Sequence, residues 1–429
     1  MNKCKVSVII PVYNMCSYIG QCLDSVVNQT LEDIEIICID DGSSDGTIDV
    51  LEEYAAQYPF IHIIRQDRMG PGAARNVGIH VCAGEFMAFM DADDYYLSED
   101  ALETLYLGAK NSKKKAAAGR IYSFIDGKIR KKDRMVSRRM YFEKDEVIEF
   151  YDYQYCSGYQ AFIFEVDLIR KCHIVFPDYV RFEDPVFLVE ALTKIKSFWV
   201  TTKPIYVYRR AYKDVSYENT RVVTDMVRGI RDIVLLSQKY DYRRLLKDLR
   251  GAFATCKYYY FIHIVKGNMK LWQLLQEMDA VYKRMGIVFE GYYLDYSREK
   301  ISEELAEFGQ WEKDILSDIE QKSGYIIYGA GIVARTVYRY LRKNSDTEFM
   351  GFAVTEERPD ACLFNHTIKC IKTFTGMKKR ASVIIAAKEP NNSEMKKTAE
   401  ELGFTNCICV DREMVGVDNF QISDEEFTV

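Results

Sequence analysis

Proline is scarce in this chain, at 8 of 429 residues, and histidine and tryptophan are scarcer still, at 5 and 3. Together with a modest 24 glycines, this excludes a collagen-like or low-complexity chain. With so few histidines and no pair of CxxC motifs among the 12 cysteines, there is no zinc framework of the finger type. The cysteines are scattered, several inside expected strands or helices (Cys38, Cys82, Cys256). They read as small core residues in a reducing compartment. No stretch approaches the roughly 20 apolar residues of a membrane-spanning helix. The opening MNKCKVSVIIPVYN has neither the long apolar segment nor the small-residue cleavage site of a secretory signal, so a cytoplasmic location is expected. A formal charge of −6 argues against a generic nucleic-acid binder, and no nucleic-acid partner is expected.

What is present is the composition of a folded chain, 48% hydrophobic and 28% charged, long enough for two or three domains. The most informative stretch is GEFMAFMDADD, residues 84–94. Phe86 to Met90 form a short unbroken apolar run, as in a strand buried on both faces. Asp91, Asp93 and Asp94 follow at once. Carboxylates crowded at the carboxyl end of a strand repel one another, and in an open α/β sheet ligands bind at that end. A hard divalent cation, magnesium or manganese, would relieve the repulsion and complete its shell with phosphate oxygens and water. The rival reading of an isolated Asp-x-Asp is a solvated acidic turn capping the next helix.

The preceding segments repeat one pattern. VSVIIP, from Val6, is a strand running into Val12-Tyr13-Asn14, and Ile19, Cys22, Leu23 and Val26 mark an amphipathic helix. Ile34 to Asp40 is a second buried strand, followed by DGSSDGT, residues 41–47, and a helix through Ile48, Leu51 and Tyr54. Ile61 to Arg65 is a third, followed by the Gly/Pro-rich DRMGPGAARNVGI, residues 67–79. Strand alternating with helix predicts a doubly wound, mostly parallel sheet with every motif at a strand's carboxyl end, and so a single crevice.

VSVIIPVYN, IDDGSSDGT, GPGAARNVGI and MDADD, in this order and spacing, resemble the family-2 glycosyltransferases, which have the GT-A nucleotide-sugar fold. The resemblance covers about the first half of the chain, residues 1–220 as a domain. It implies a nucleobase pocket lined by Pro11 and Tyr13, with Asp41 accepting a hydrogen bond from uracil and Arg75 near the base or the diphosphate. Asp91 would hold the ribose and Asp93 the metal, with Asp94 supporting or sharing it. These roles fit the side chains: a carboxylate reads an N–H donor, an aromatic ring stacks on a base and a metal bridges a diphosphate. Asp45 reads better as a helix cap, and Asn76 and Gly78 either serve the ligand or shape the turn.

Further along, Glu183-Asp184 in VRFEDPVF resembles the family's Glu-Asp segment at the start of a helix under the sugar site, which makes Asp184 the base, with Glu183 in support. In an inverting displacement one carboxylate must take the acceptor's proton on the face opposite the departing nucleoside diphosphate. Glu183 and Asp184 also suit the first turn of a helix as charges complementing its dipole. Tyr208-Arg209-Arg210 resembles the segment that closes over the diphosphate, where Arg209 or Arg210 would pair with a phosphate oxygen. The partners implied are a nucleotide-sugar donor and a saccharide or lipid-linked acceptor in bacterial surface polysaccharide synthesis. A homo-oligomer and peripheral contact with the inner face of the membrane are compatible with the same resemblance. Residues 113–139 hold eleven Lys or Arg against two Asp; they read as a hairpin turning at Asp126-Gly127, either a solvated charged face or a surface for anionic lipid or a lipid-linked diphosphate.

From 221 to 322 the apolar spacing turns helical, and CKYYYFIHIV, residues 256–265, reads as a buried helix in which His263 is structural. From 323 to 429 the pattern is a small Rossmann-like α/β module opening on Gly329-Ala330-Gly331-Ile332-Val333-Ala334, with Glu356 an approximate match to the acidic residue of a dinucleotide site. Two other functions are weighed against transfer of a sugar. A sugar-phosphate nucleotidyltransferase would share the sheet but carry a Gly-rich basic loop where this chain has Pro11 to Asn14. A non-catalytic scaffold would not require Asp93 and Asp184 intact.

Overall fold

The structure, a computed structural model, describes residues 4–125, 128–131, 140–209, 219–254, 257–287, 298–330, 332–356, 362–364, 366–387 and 391–410. They fall into two compact units, Met1–Leu249 with Gln273–Ile287, and Arg250–Trp272 with Val288–Val429.

The first unit begins β1 (Val6–Val12), α1 (Ile19–Val27), β2 (Ile34–Asp40), α2 (Thr47–Gln57), β3 (Ile61–Arg65), α3 (Pro71–Val81), β4 (Phe86–Phe89), β5 (Tyr95–Tyr96) and α4 (Ala101–Ser112). It continues with β6 (Ala116–Ile125), β7 (Lys128–Arg130), β8 (Glu146–Glu149), α5 (Phe150–Tyr153), β9 (Phe162–Glu165), α6 (Val166–Lys171), α7 (Glu183–Ile195) and β10 (Ser197–Arg209). The strands form one mixed sheet in the order β3-β2-β1-β4-β9-β6-β10-β5. The first four pair in parallel, with Asp40 opposite both Val12 and Arg65, and Ile9 opposite Phe89. Parallel register sends Tyr13, Asp41, Gln66 and Asp91 to the same edge. The sequence order doubles back between β1 and β4, which is where α/β sheets open a ligand crevice.

β9 runs antiparallel to both β4 and β6, so β6 and its parallel partner β10 again point toward that edge. β10 therefore delivers Arg209 beside the acidic triplet. The hairpin expected in the basic segment is present as antiparallel β6–β7, Ser123 opposite Arg130 and Ile125 opposite Lys128; its turn at Asp126-Gly127 lies outside the described residues.

Under the edge is a packed aromatic layer. The rings of Phe176 and Phe187 stack at 4.1 Å, and Phe89 meets them edge-on at 5.2 and 5.4 Å. Above β1, α3 sits so close that a Cβ on Gly78 would stand 2.4 Å from Ile9 Cγ2. Gly78 thus serves helix–sheet packing. Gly78→Ala should destabilise the first unit by about 1–3 kcal/mol through overpacking, seen as a lower urea midpoint.

The helical stretch follows as α8 (Thr220–Tyr240), α9 (Arg243–Ala254), α10 (Lys257–Val265), α11 (Met269–Arg284) and α12 (Arg298–Glu320). His263 is buried on α10. Among the described residues no helix is long and apolar enough to cross a membrane. The second unit's sheet is built from β11 (Gly324–Tyr328), β12 (Glu348–Val354), β13 (Cys362–Leu363), β14 (His366–Cys370), β15 (Ala381–Ala386) and β16 (Cys407–Val410), with α13 (Ile332–Asn344) and α14 (Asn391–Glu401) between. Its order is β13-β14-β12-β11-β15-β16, parallel except for β13. Tyr325 and Ile327 face one core cluster, Ile326 and Tyr328 the other, as a sheet covered on both faces requires. This matches the Rossmann-like expectation.

Candidate active site

The edge formed by β1, β2, β3, β4 and β10 gathers most of the residues singled out in the sequence. Asp41, at the end of β2, is buried and spends its carboxylate on the loop before α3. Oδ1 accepts from Gln66 Nε2 at 2.7 Å and Met69 N at 2.8 Å, and Oδ2 accepts from Gly70 N at 2.8 Å. Gly70 caps α3 at φ +94, a conformation costly for a side-chain-bearing residue. Of roughly four acceptor positions on a carboxylate, one on Oδ2 stays open. Next to it Tyr13 carries the Arg68 guanidinium over its ring at 3.8 Å, and Arg68 Nη1 donates to the Tyr13 hydroxyl at 2.6 Å. Pro11, inside β1, is partly exposed. The N-cap of α2 is Gly46 rather than Asp45, which stands one residue before it and accepts from Thr47 N at 3.1 Å and Cys16 N at 3.2 Å.

The acidic triplet divides its labour. Asp91 Oδ1 accepts from Arg75 Nη2 at 2.8 Å and the Tyr159 hydroxyl at 3.1 Å, and Oδ2 accepts from Gln160 Nε2 at 3.1 Å. Burial opposes its charge, but Arg75 and these bonds together hold the carboxyl below its usual range. Asp94 is 1% exposed and accepts from the Tyr206 hydroxyl at 2.7 Å and Arg209 N at 2.6 Å. Burial, with Asp93 and Asp91 beside it, pushes its carboxyl well above the ordinary range. Asp93 is partly exposed, and its carbonyl accepts from Arg209 Nε at 2.8 Å. Among the described residues no trio of His, Cys, Asp or Glu converges on a metal position. Among these residues there is no all-protein cage. The crowding of Asp93 and Asp91 that helps raise Asp94 is a repulsion that a divalent cation would relieve.

Arg209 is fixed rather than loose. Besides the Asp93 carbonyl, its guanidinium donates to Gln21 Oε1 and lies among the rings of Tyr18, Phe124 and Tyr95, at 5.2, 5.0 and 5.6 Å. Arg210 lies outside the described residues.

On the far side, α7 opens with Glu183 and Asp184. Its N-cap, Phe182, holds φ +72, a strained conformation for a bulky residue, and this swing aims the first turn at the cleft. The two neighbours then part company. Glu183 is buried and bound to Arg75 Nη1 at 3.1 Å, whereas no donor among the described residues bonds Asp184, which stays partly exposed. Burial pushes the Asp184 carboxyl up to about 7, with Glu183 adding to the rise and Arg75 and Arg181 opposing it.

Pattern reading missed Tyr159, Gln160 and Tyr206. Tyr159 and Gln160 precede the apolar run of β9, a strand signal with no mark of its direction. Tyr206 reads only as one aromatic in β10, yet its hydroxyl accepts from Asp91 N at 3.1 Å while donating to Asp94. Tyr206→Phe leaves a buried Asp94 oxygen without its donor and should cost about 1–3 kcal/mol, read as a lowered thermal midpoint.

An open α/β sheet whose topological switch point is edged by carboxylates is the frame of a nucleotide-binding domain. Residues 7–169 match Glycosyl transferase family 2, and the chain carries a glycosyltransferase domain of that family. It is 36% identical over 211 residues to a poly(ribitol-phosphate) beta-glucosyltransferase of Bacillus spizizenii, covering 48% of this chain and 32% of that one. It is 41% identical over 98 residues to the chondroitin synthase of Escherichia coli, covering 23% and 14%. The chain thus spans a third or less of the length of either. Among solved structures, S. aureus TarS 1-349 in complex with UDP-GlcNAc superposes with a TM-score of 0.56 at 21% identity, over 66% of this chain and 82% of that one. That likeness establishes the GT-A fold.

Proposed function

We propose that the chain transfers a sugar with inversion from a nucleotide donor, UDP-linked, to a saccharide or lipid-linked acceptor of a bacterial surface polysaccharide. The observation that carries this reading is the separation of roles at the start of α7. Glu183 is tied through Arg75 to the acidic triplet, and Asp184, which no donor among the described residues bonds, has its carboxyl pushed up to about 7 by burial. A general base works best with its pKa near the operating pH.

In this reading Tyr13 and Pro11 flank the base once Arg68 moves aside, and the open position on Asp41 Oδ2 accepts the uracil N–H. Asp91, with three of roughly four acceptor positions in use, accepts one ribose hydroxyl. Asp93 would hold the metal, and Asp94, bound to Tyr206 and the Arg209 amide, would support the turn. When bound, a divalent cation supplies charge to the departing diphosphate. The acceptor oxygen attacks the anomeric carbon, the bond from that carbon to the diphosphate oxygen breaks, and Asp184 takes the acceptor's proton. No covalent intermediate is needed. The names of the relatives, a poly(ribitol-phosphate) beta-glucosyltransferase and a chondroitin synthase, support the polysaccharide setting.

The test is a donor screen that follows nucleoside diphosphate release from UDP-, GDP- and dTDP-sugars with manganese, magnesium or chelator. Metal-dependent release from a UDP-sugar, with an inverted anomeric centre in the product, is expected. Turnover indifferent to chelator would remove the metal from the mechanism, and a retained anomeric configuration would remove the single-displacement step.

A further inference from the structure

Arg75 was expected at the base or the diphosphate, yet both of its terminal nitrogens are already engaged by protein. Nη2 lies 2.8 Å from Asp91 Oδ1 and Nη1 3.1 Å from Glu183 Oε1, and the residue is only 5% exposed. Its guanidinium also stands 5.1 and 5.2 Å from the ring centroids of Tyr159 and Phe176, close enough for cation–π attraction. One of the two carboxylates belongs to the triplet after β4, and the other immediately precedes Asp184. The rest of α3 strengthens the same tie. Asn76 Nδ2 donates to the Phe176 carbonyl and Phe176 N donates to Asn76 Oδ1, both at 2.8 Å. A Cβ on Gly72 would stand 3.3 Å from Glu183 Cγ, so helix and turn are in close contact.

We propose that Arg75 is a positioning residue for the transfer step: by gripping Asp91 and Glu183 in one planar fork, it fixes the Asp184 carboxylate relative to the donor cleft. The inference rests on the reading of Asp184 as the base. A fork with fixed donor directions can hold two carboxylates at a set spacing, and a lysine ammonium, a compact point charge on a flexible stem, cannot. The charged and titratable groups facing Asp184 are Glu183, Arg75, Arg181, Asp91 and Tyr159. Loss of Arg75 removes a cation that favours the Asp184 carboxylate, and loss of the Glu183 charge removes an anion that disfavours it.

The experiment compares wild-type full-length protein with Arg75→Lys, Glu183→Gln, the Arg75→Met/Glu183→Gln pair and Asp184→Asn. It measures kcat against pH, donor KM and equilibrium binding of UDP. The paired variant deletes one positive and one negative charge together, which keeps the test readable if Arg75→Lys fails to fold. Arg75→Lys and the pair should lower kcat by about 100-fold, as expected for a displacement on the order of 1 Å, with donor KM and UDP binding retained. Arg75→Lys keeps the positive charge and should leave the rise in kcat near its wild-type pH while the position of Asp184 is less well set; Glu183→Gln alone should move the rise to lower pH. A loss confined to donor KM, with kcat and the pH rise unmoved, would make Arg75 a donor contact and overturn the proposal. If Asp184→Asn abolishes transfer but the Arg75 variants keep wild-type kcat, the positioning role alone falls. If Asp184→Asn transfers at the wild-type rate, the base assignment falls and the positioning role with it.

Discussion

Asp184→Asn is expected to lower kcat by about 10²–10⁴-fold, the range that a positioned general base supplies, while UDP binding persists. The substitution keeps the size and shape of the side chain and removes only its ability to take a proton. Folding stability should move the other way. The Asp184 carboxyl sits at about 7 in the folded chain against an ordinary 3.8, so between these values the folded state binds more protons than the unfolded one. Stability therefore falls as pH rises from about 4 to about 7, as the carboxyl is made to ionise in the folded chain. Asparagine has no such dependence. The thermal midpoint of Asp184→Asn minus that of wild type should grow across this window and level off above it. A constant difference between pH 4 and 8 would show that Asp184 is not held in the environment described here.

Asp93→Asn is the second large effect. If Asp93 is the triplet's ligand to the cation, its loss removes several kcal/mol of charge stabilisation at the departing diphosphate, which corresponds to at least about 10²-fold in rate. The variant should also lose the stimulation by manganese seen in wild type, and UDP binding should become insensitive to the metal. Asp94→Asn should behave differently, because Asp94 is bound to Tyr206 and the Arg209 amide: its main cost is expected in the thermal midpoint. Equal loss of metal response in both variants would mean that the two carboxylates share the ion.

The contrast between these aspartates shows where the sequence was readable. MDADD marks the end of a buried strand, and Tyr13, Asp41 and the loop before α3 fall at the ends of parallel neighbours. Strand, helix and glycine signals there are local, and the parallel register follows from their alternation. Which partners hold Asp91 and Asp94 is not local. It depends on Tyr206, more than a hundred residues away, and on Tyr159 and Gln160, which β9 brings in by running against its neighbours. Strand direction leaves no trace in a run such as AFIFE. Likewise, Phe182 at φ +72 aims α7 without the glycine that would have announced the turn. Arg75 was legible as a site residue but not in its partners, since an arginine in a loop-to-helix motif reads equally as a phosphate contact or an internal tie.

The pH dependence of kcat/KM, which reports the unliganded enzyme, tests the central claim most directly, namely that one carboxylate at the head of α7 accepts the acceptor's proton in the cleft that the acidic triplet edges. The profile should rise with pH through a midpoint near 7, with a slope of one proton, and the rise should vanish from the residual activity of Asp184→Asn. A wild-type profile flat from pH 5 to 9, or the same rise persisting in Asp184→Asn, would contradict it.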